Sequence, residues 1–242
     1  MLVIWEMNKD LRTYIKEDYS SLTWKDVNYL FLCITSCLLY LHKDNLAHQD
    51  LHPGNILQGN SGTWCIADFG ICGPANQSSS SIYGNLPYMA PEVIRGAQYS
   101  TAADIYSFGM LMYYVVIGRH PFVEQKNDIH LALDICNGIR PPITNNIPDQ
   151  YKELMQQCWD ADISKRPNAE QLFNYFYHES RKTVQTSDYG TELVTQIHVA
   201  VYEEDDIKQS SIYEFNGLPI PRNATLGKCI YNTFDFQYTE FH

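Results

Sequence analysis

The sequence is poor in positive charge. Its 242 residues include 17 Lys and Arg against 28 Asp and Glu, a formal net charge of −11. A chain of that sign does not gather nucleic-acid phosphates or anionic lipid headgroups, so neither nucleic acid nor membrane is expected as a partner, and cationic peptides suit it better. No C-x-x-C pair occurs among the seven cysteines, Cys33, Cys37, Cys65, Cys72, Cys136, Cys158 and Cys229, which excludes the usual zinc and dithiol-redox spacings. They read as reduced, buried thiols. No apolar run is long enough to span a bilayer, because the longest, Ile105 to Ile117, is broken by Ser107 and Gly109. The apolar opening Met1 to Met7 is short and lacks the basic leader of a secretory signal. Together these absences predict a cytoplasmic protein. No internal repeat is visible.

What is present suits a globular core: 45% of residues are apolar and 19% charged. Residues 2 to 5 read as the end of a buried strand. Thr23 with Asp26 marks a helix start, and Val27, Leu30, Phe31, Ile34, Leu38 and Leu41 follow at helical spacing, predicting a helix over 24–43. The polar stretch Asp50 to Asn55 then precedes Ile56-Leu57, a turn over Gly59 to Gly62, and Trp64 to Ala67, a hairpin pattern. Residues 71–87, rich in Gly, Pro, Asn and Ser and including Ser78 to Ser81, predict a long loop of the kind that usually carries function. Residues 102–117 are apolar nearly all round, as in a helix at the centre of a domain. Further helices are predicted near 127–137, 149–159 and 168–178. From Glu179 onward, 10 acids against 5 bases leave that segment at −5 of the total, and its polar text predicts a largely disordered tail.

Several short motifs follow one another in order: His48-Gln49-Asp50, Asn55 five places on, Asp68-Phe69-Gly70, Ala90-Pro91-Glu92, Asp104 to Gly109, and Lys165-Arg166-Pro167. Taken singly, each residue is at home as a turn or capping residue. Their order and spacing resemble the eukaryotic protein kinase family over roughly residues 2–178. The resemblance implies a mainly α fold, the kinase-like large C-terminal lobe with short β-hairpins, over 1–178, followed by the tail 179–242. It implies ATP and magnesium as cofactors and a protein as substrate. By that resemblance Asp50 orients the acceptor hydroxyl and takes its proton. Asn55 and Asp68 match the two magnesium ligands, whose hard oxygens suit that ion. Trp5, Glu6 and Met7 match the hinge at the adenine edge, and Leu57 matches the apolar residue beneath the ring. Glu92 is expected to pair with Arg166, and Asp104 to accept hydrogen bonds from the catalytic-loop backbone.

The pattern also departs from the family. No Gly-rich loop, V-A-I-K lysine or partnering helix glutamate precedes the hinge, so the small β-rich N-lobe is expected to be missing, as in a fragment. Gln49 replaces the arginine that receives a phosphorylated activation loop. His52 stands where serine/threonine kinases place a lysine near the transferred phosphate, and Asn85 stands in place of a threonine. The stretch Gly84 to Glu92 resembles serine/threonine kinases, and Cys158-Trp159 resembles their tyrosine-kinase-like branch. The main reading is an ATP-dependent serine/threonine kinase with little activity in this chain alone. The alternative is a pseudokinase that serves as an interaction module. Because metal ligands are present but phosphate-covering parts are not, residues 1–242 should bind a magnesium–ATP analogue weakly. Calorimetric titration checks this, and sub-micromolar affinity would contradict it.

Overall fold

The computed structural model describes residues 7–76, 82–143, 147–185, 210–215 and 217–223. Strand β1 (Met7–Asp10) leads into helix α1 (Leu11–Asp18), whose first turn is capped by the Asp10 carboxylate accepting from the Thr13 amide at 2.8 Å. Helix α2 (Trp24–Lys43) has the predicted bounds. At its start the Thr23 amide donates to the Asp26 carboxylate at 3.0 Å and the Asp26 amide to the Thr23 hydroxyl at 3.3 Å, so two otherwise unpartnered donors are satisfied reciprocally. Strand β2 (Leu46–Ala47) opens the polar loop. Strands β3 (Ile56–Gly59) and β4 (Trp64–Ile66) form the expected hairpin, with Ile56 opposite Ile66, and β1 joins them in the antiparallel order β1-β3-β4.

Two short strands follow inside the loop region: β5 (Gly73–Pro74), paired to β2, and β6 (Ile82–Gly84). Four helices come next: α3 (Pro91–Ile94), α4 (Thr101–Ile117), α5 (Ile129–Cys136) and α6 (Asp149–Cys158). Helix α7 (Ala169–Gln185) precedes strand β7 (Ser211–Tyr213), which pairs antiparallel with β6. Among the described residues no helix is long and apolar enough to cross a membrane. The six described cysteines are free; Cys136 and Cys158 are buried and the other four half-buried.

The core forms around α4, of which Ala103 to Ile117 are all buried. Helix α2 packs on α7, and α4 on α6. The rings of Phe31, Phe108 and Phe176 join α2, α4 and α7, with centroids 5.2–6.0 Å apart. Ser107, the polar break in the apolar run, is buried with its hydroxyl donating to the Tyr88 carbonyl at 2.7 Å, so it ties α4 to the segment before α3. Gly109 is the point of closest approach to α6. A Cβ there would stand 2.7 Å from the Cβ of Cys158 and 3.3 Å from the Met155 carbonyl oxygen.

Four features differ from the sequence reading. Helix α1 lies where no helix was predicted; it is short, and only Leu11 and Ile15 are buried on it, too few to make a clear period. Helix α7 runs past residue 178 to Gln185, so the boundary drawn there falls inside a helix. The region 71–87 is partly paired, through β5 and β6, because partners distant in sequence supply the ladder. Beyond α7, the stretches 210–215 and 217–223 lie on the body, with Tyr213, Phe215 and Leu218 packed against the core. The rest of 179–242, the strand expected over 2–5, and Ser78 to Ser81 lie outside the described residues.

Substituting Gly109→Val should force α4 and α6 apart and cost about 2–3 kcal/mol. Urea unfolding measures it, and a variant as stable as the parent would show that the close approach is not constrained.

Candidate active site

The polar loop between β2 and β3 is held from beneath by one carboxylate. Asp104, in the first turn of α4 and 1% exposed, accepts from the backbone N–H of His48 at 2.8 Å and of Gln49 at 3.0 Å. His42 Nε2, in the last turn of α2, lies 3.0 Å from the same carboxylate. These bonds hold Gln49 at φ 73°, a left-handed conformation that costs a non-glycine residue about 1–3 kcal/mol. Two hydrogen bonds to a buried carboxylate offset a strain of that size. His48 is fully buried, and its Nε2 lies 2.9 Å from the Ala67 carbonyl, which joins the loop to the end of β4.

This scaffold presents Asp50 with its carboxylate 3.6 Å from His52 Nε2. The other His52 nitrogen, Nδ1, accepts from the Gly54 amide at 3.1 Å, so Nε2 carries a proton that faces Asp50. Burial by itself raises the Asp50 pKa, but the hydrogen bond and charge of His52 and the hydroxyl of Ser210 outweigh it, and the net shift is downward. The group is therefore a carboxylate at neutral pH. Its contribution to stability is present above the ordinary aspartate pKa and is lost as pH falls through the lowered value.

Asn55 is buried behind Asp50, its Nδ2 donating to the Asp50 carbonyl at 2.8 Å, which leaves Oδ1 as the hard oxygen of the pair. The Ala67 amide donates to the Asn55 carbonyl at 2.8 Å, continuing the β3–β4 ladder and bringing Asp68 to the mouth of the same hairpin. Asp68 is exposed, at φ 58°, with Oδ1 accepting from the Gly70 amide at 3.3 Å. Leu57 is half-buried on β3 opposite Asp10, and Met7 begins β1 opposite Gly59, so the two lie on adjacent strands. Trp5 and Glu6 lie outside the described residues. Asn85 is buried just after β6.

Below the loop, Arg166 makes a two-pronged pair with Glu92, at 2.6 and 2.8 Å. It also donates to the carbonyls of Asp160 and Ala102, so each of the three guanidinium nitrogens is engaged. This matches the sequence expectation for both residues, as does the loop grip of Asp104.

The sequence profile of the protein kinase domain matches residues 1–178. The chain belongs to the protein kinase domain family. A protein of Acanthamoeba polyphaga mimivirus named as a serine/threonine-protein kinase/receptor is 35% identical over 161 residues, covering 65% of this chain and 10% of that protein. Mitogen-activated protein kinase kinase kinase 7 of Homo sapiens is 35% identical over 147 residues, 59% of this chain and 24% of the relative. The kinase domain described here thus corresponds to a tenth to a quarter of the length of these relatives.

Two residues of the site were not anticipated. His42 reads in the sequence as an ordinary basic residue closing a helix. Ser210 sits in a segment whose composition points to disorder, yet its hydroxyl donates to both oxygens of Asp50, at 2.6 and 2.9 Å.

Replacing Asp104 by Ala would strand two buried amides, each costing about 1–3 kcal/mol, and should destabilise the kinase domain by about 3 kcal/mol or more. Asp104→Asn keeps one acceptor oxygen and should lose less. Equilibrium denaturation of both variants is the check; an Ala variant within about 0.5 kcal/mol of the parent would show that the loop does not depend on this carboxylate.

Proposed function

We propose that this kinase domain transfers the γ-phosphate of ATP to serine or threonine hydroxyls of proteins, with Asp50 orienting the acceptor and taking its proton. The observation that carries the reading is the ionised, partly desolvated Asp50 receiving a serine hydroxyl at hydrogen-bond distance, the geometry a general base requires. A polyanionic phosphate chain needs cationic neutralisation, and the residues present fit magnesium. Asn55 has its nitrogen engaged and an oxygen to offer, and Asp68 is an exposed carboxylate at the mouth of the same hairpin. When bound, the ion would neutralise charge on the transferred phosphoryl group. Among the protein's own residues, His52 fixes the Asp50 carboxylate, Leu57 offers an apolar surface to a base, and the backbone of Met7, with Trp5 and Glu6, is assigned to the base edge.

Residues 1–242 contain no Gly-rich phosphate loop and no V-A-I-K lysine. The reading therefore assigns the covering of the nucleotide phosphates to a separate small lobe, and little turnover to these residues alone. Cys158-Trp159 ahead of Lys165-Arg166-Pro167 favours the tyrosine-kinase-like branch.

Joined to a small lobe with its Gly-rich loop and lysine, the chain should phosphorylate a generic serine/threonine protein from labelled ATP. Asp50→Ala should lower turnover by about 10²–10⁴-fold with nucleotide binding nearly intact. Asp68→Asn should instead weaken magnesium-dependent binding. If the joined parent is no faster than Asp50→Ala, the catalytic reading fails and a pseudokinase takes its place.

A further inference from the structure

The stretches 210–215 and 217–223 lie on the domain, the first of them beginning at Asp50. Strand β7 adds to β6 with Ser211 opposite Gly84, Ile212 opposite Tyr83 and Tyr213 opposite Ile82. Pairing of this kind fixes a peptide by its backbone and leaves alternate side chains to be read. Ile212 points outward and is 67% exposed, whereas Tyr213 is half-buried, with the Leu86 backbone hydrogen-bonded to its phenol. The Tyr213 ring stacks on Phe215, with centroids 5.5 Å apart. Farther along, the Leu218 carbonyl accepts from Arg95 at 3.4 Å, and the Arg222 amide donates to the Cys136 carbonyl at 3.1 Å. The Asn223 side chain accepts from the Ala161 amide at 2.7 Å. Ser210 precedes the paired stretch by one residue, and this places its hydroxyl on Asp50.

We infer that residues 210–215 occupy the acceptor-peptide groove of this domain, and that Ser210 is a phosphorylation site modified by the same molecule that carries it. The inference rests on the kinase reading above. With a nucleoside triphosphate as donor, Ser210 Oγ attacks the γ-phosphorus while the hydroxyl proton passes to Asp50. A bond forms between Oγ and phosphorus, the bond from phosphorus to the β,γ-bridging oxygen breaks, and the nucleoside diphosphate leaves. Tethering supplies the acceptor at high effective concentration, so the step does not need a collision with a second chain. The product carries a phosphate of charge near −2 beside the Asp50 carboxylate. Like charges at that separation repel, so the modified strand leaves the groove and opens it to other peptides. The seated strand also defines the class of external acceptor: a serine or threonine with an aromatic residue three places after it and no demand two places after it.

The experiment incubates the full 242-residue chain, alone and joined to the small lobe, with millimolar magnesium–ATP and casein, and locates phosphate by mass spectrometry. Phosphate on Ser210 is expected, with a rate constant unchanged over about a hundredfold dilution of the chain, as an intramolecular step requires. Tyr213→Ala should slow it about tenfold, and Asp50→Asn should abolish it. Ser210→Ala, which cannot acquire the phosphate that expels the strand, should phosphorylate casein with a KM above that of the Ser210-phosphorylated parent. Asp50-dependent transfer to casein with Ser210 unmodified, or with Ser210 modified at a rate proportional to chain concentration, overturns this inference and leaves the kinase reading standing. No transfer to either acceptor in either form overturns both.

Discussion

The carboxylate of Asp104 is the fixed point of the site. It is buried at the start of the central helix, where a charge without partners would be expensive, and its partners are the amides of the loop that carries Asp50. The arrangement works in both directions. The amides satisfy the carboxylate, and the carboxylate holds Gln49 in a backbone conformation that this loop would not adopt alone. Because α4 is packed on every side, the loop inherits the rigidity of the core rather than the mobility of a surface turn.

A second consequence is the spacing between tasks. Asp50 is tuned by His52 and by a hydroxyl, both on its open side, while Asn55 supports it from behind through the Asp50 carbonyl. Asp68 stands apart from that network and is exposed, its Oδ1 accepting from the Gly70 amide. On the proposed function, buried support suits Asp50 to handle a proton and open access suits Asp68 to hold a metal. The Glu92–Arg166 pair anchors α3 to the turn before α7.

Much of this was legible from the chain. The Thr23–Asp26 capping box and the apolar spacing after it located α2 to the residue, and the all-apolar run with its Ser107 and Gly109 interruptions located α4. The interruptions then proved structural: one donates to the Tyr88 carbonyl and the other admits α6. The motif series placed Asp50, Asn55 and Asp68 around one hairpin. Helix α1 was not legible, because eight residues with two buried positions carry too little periodicity to stand out. Strands β5, β6 and β7 were not legible either. Two or three residues each, they exist through pairings with segments far away in sequence, and local composition argued for loop and disorder.

By itself the sequence determined the helices α2 and α4 to α7, the hairpin, the family and the residue types available for chemistry, since each follows from local periodicity, capping or an ordered set of short motifs. Only the tertiary structure decided that His42 shares the Asp104 carboxylate, that His52 turns its protonated nitrogen toward Asp50, and that Ser210 reaches the same carboxylate from 160 residues away. The physical reason is range. Periodicity and capping act within a turn or two of chain, whereas a hydrogen bond between distant residues depends on where the whole core has brought their backbones.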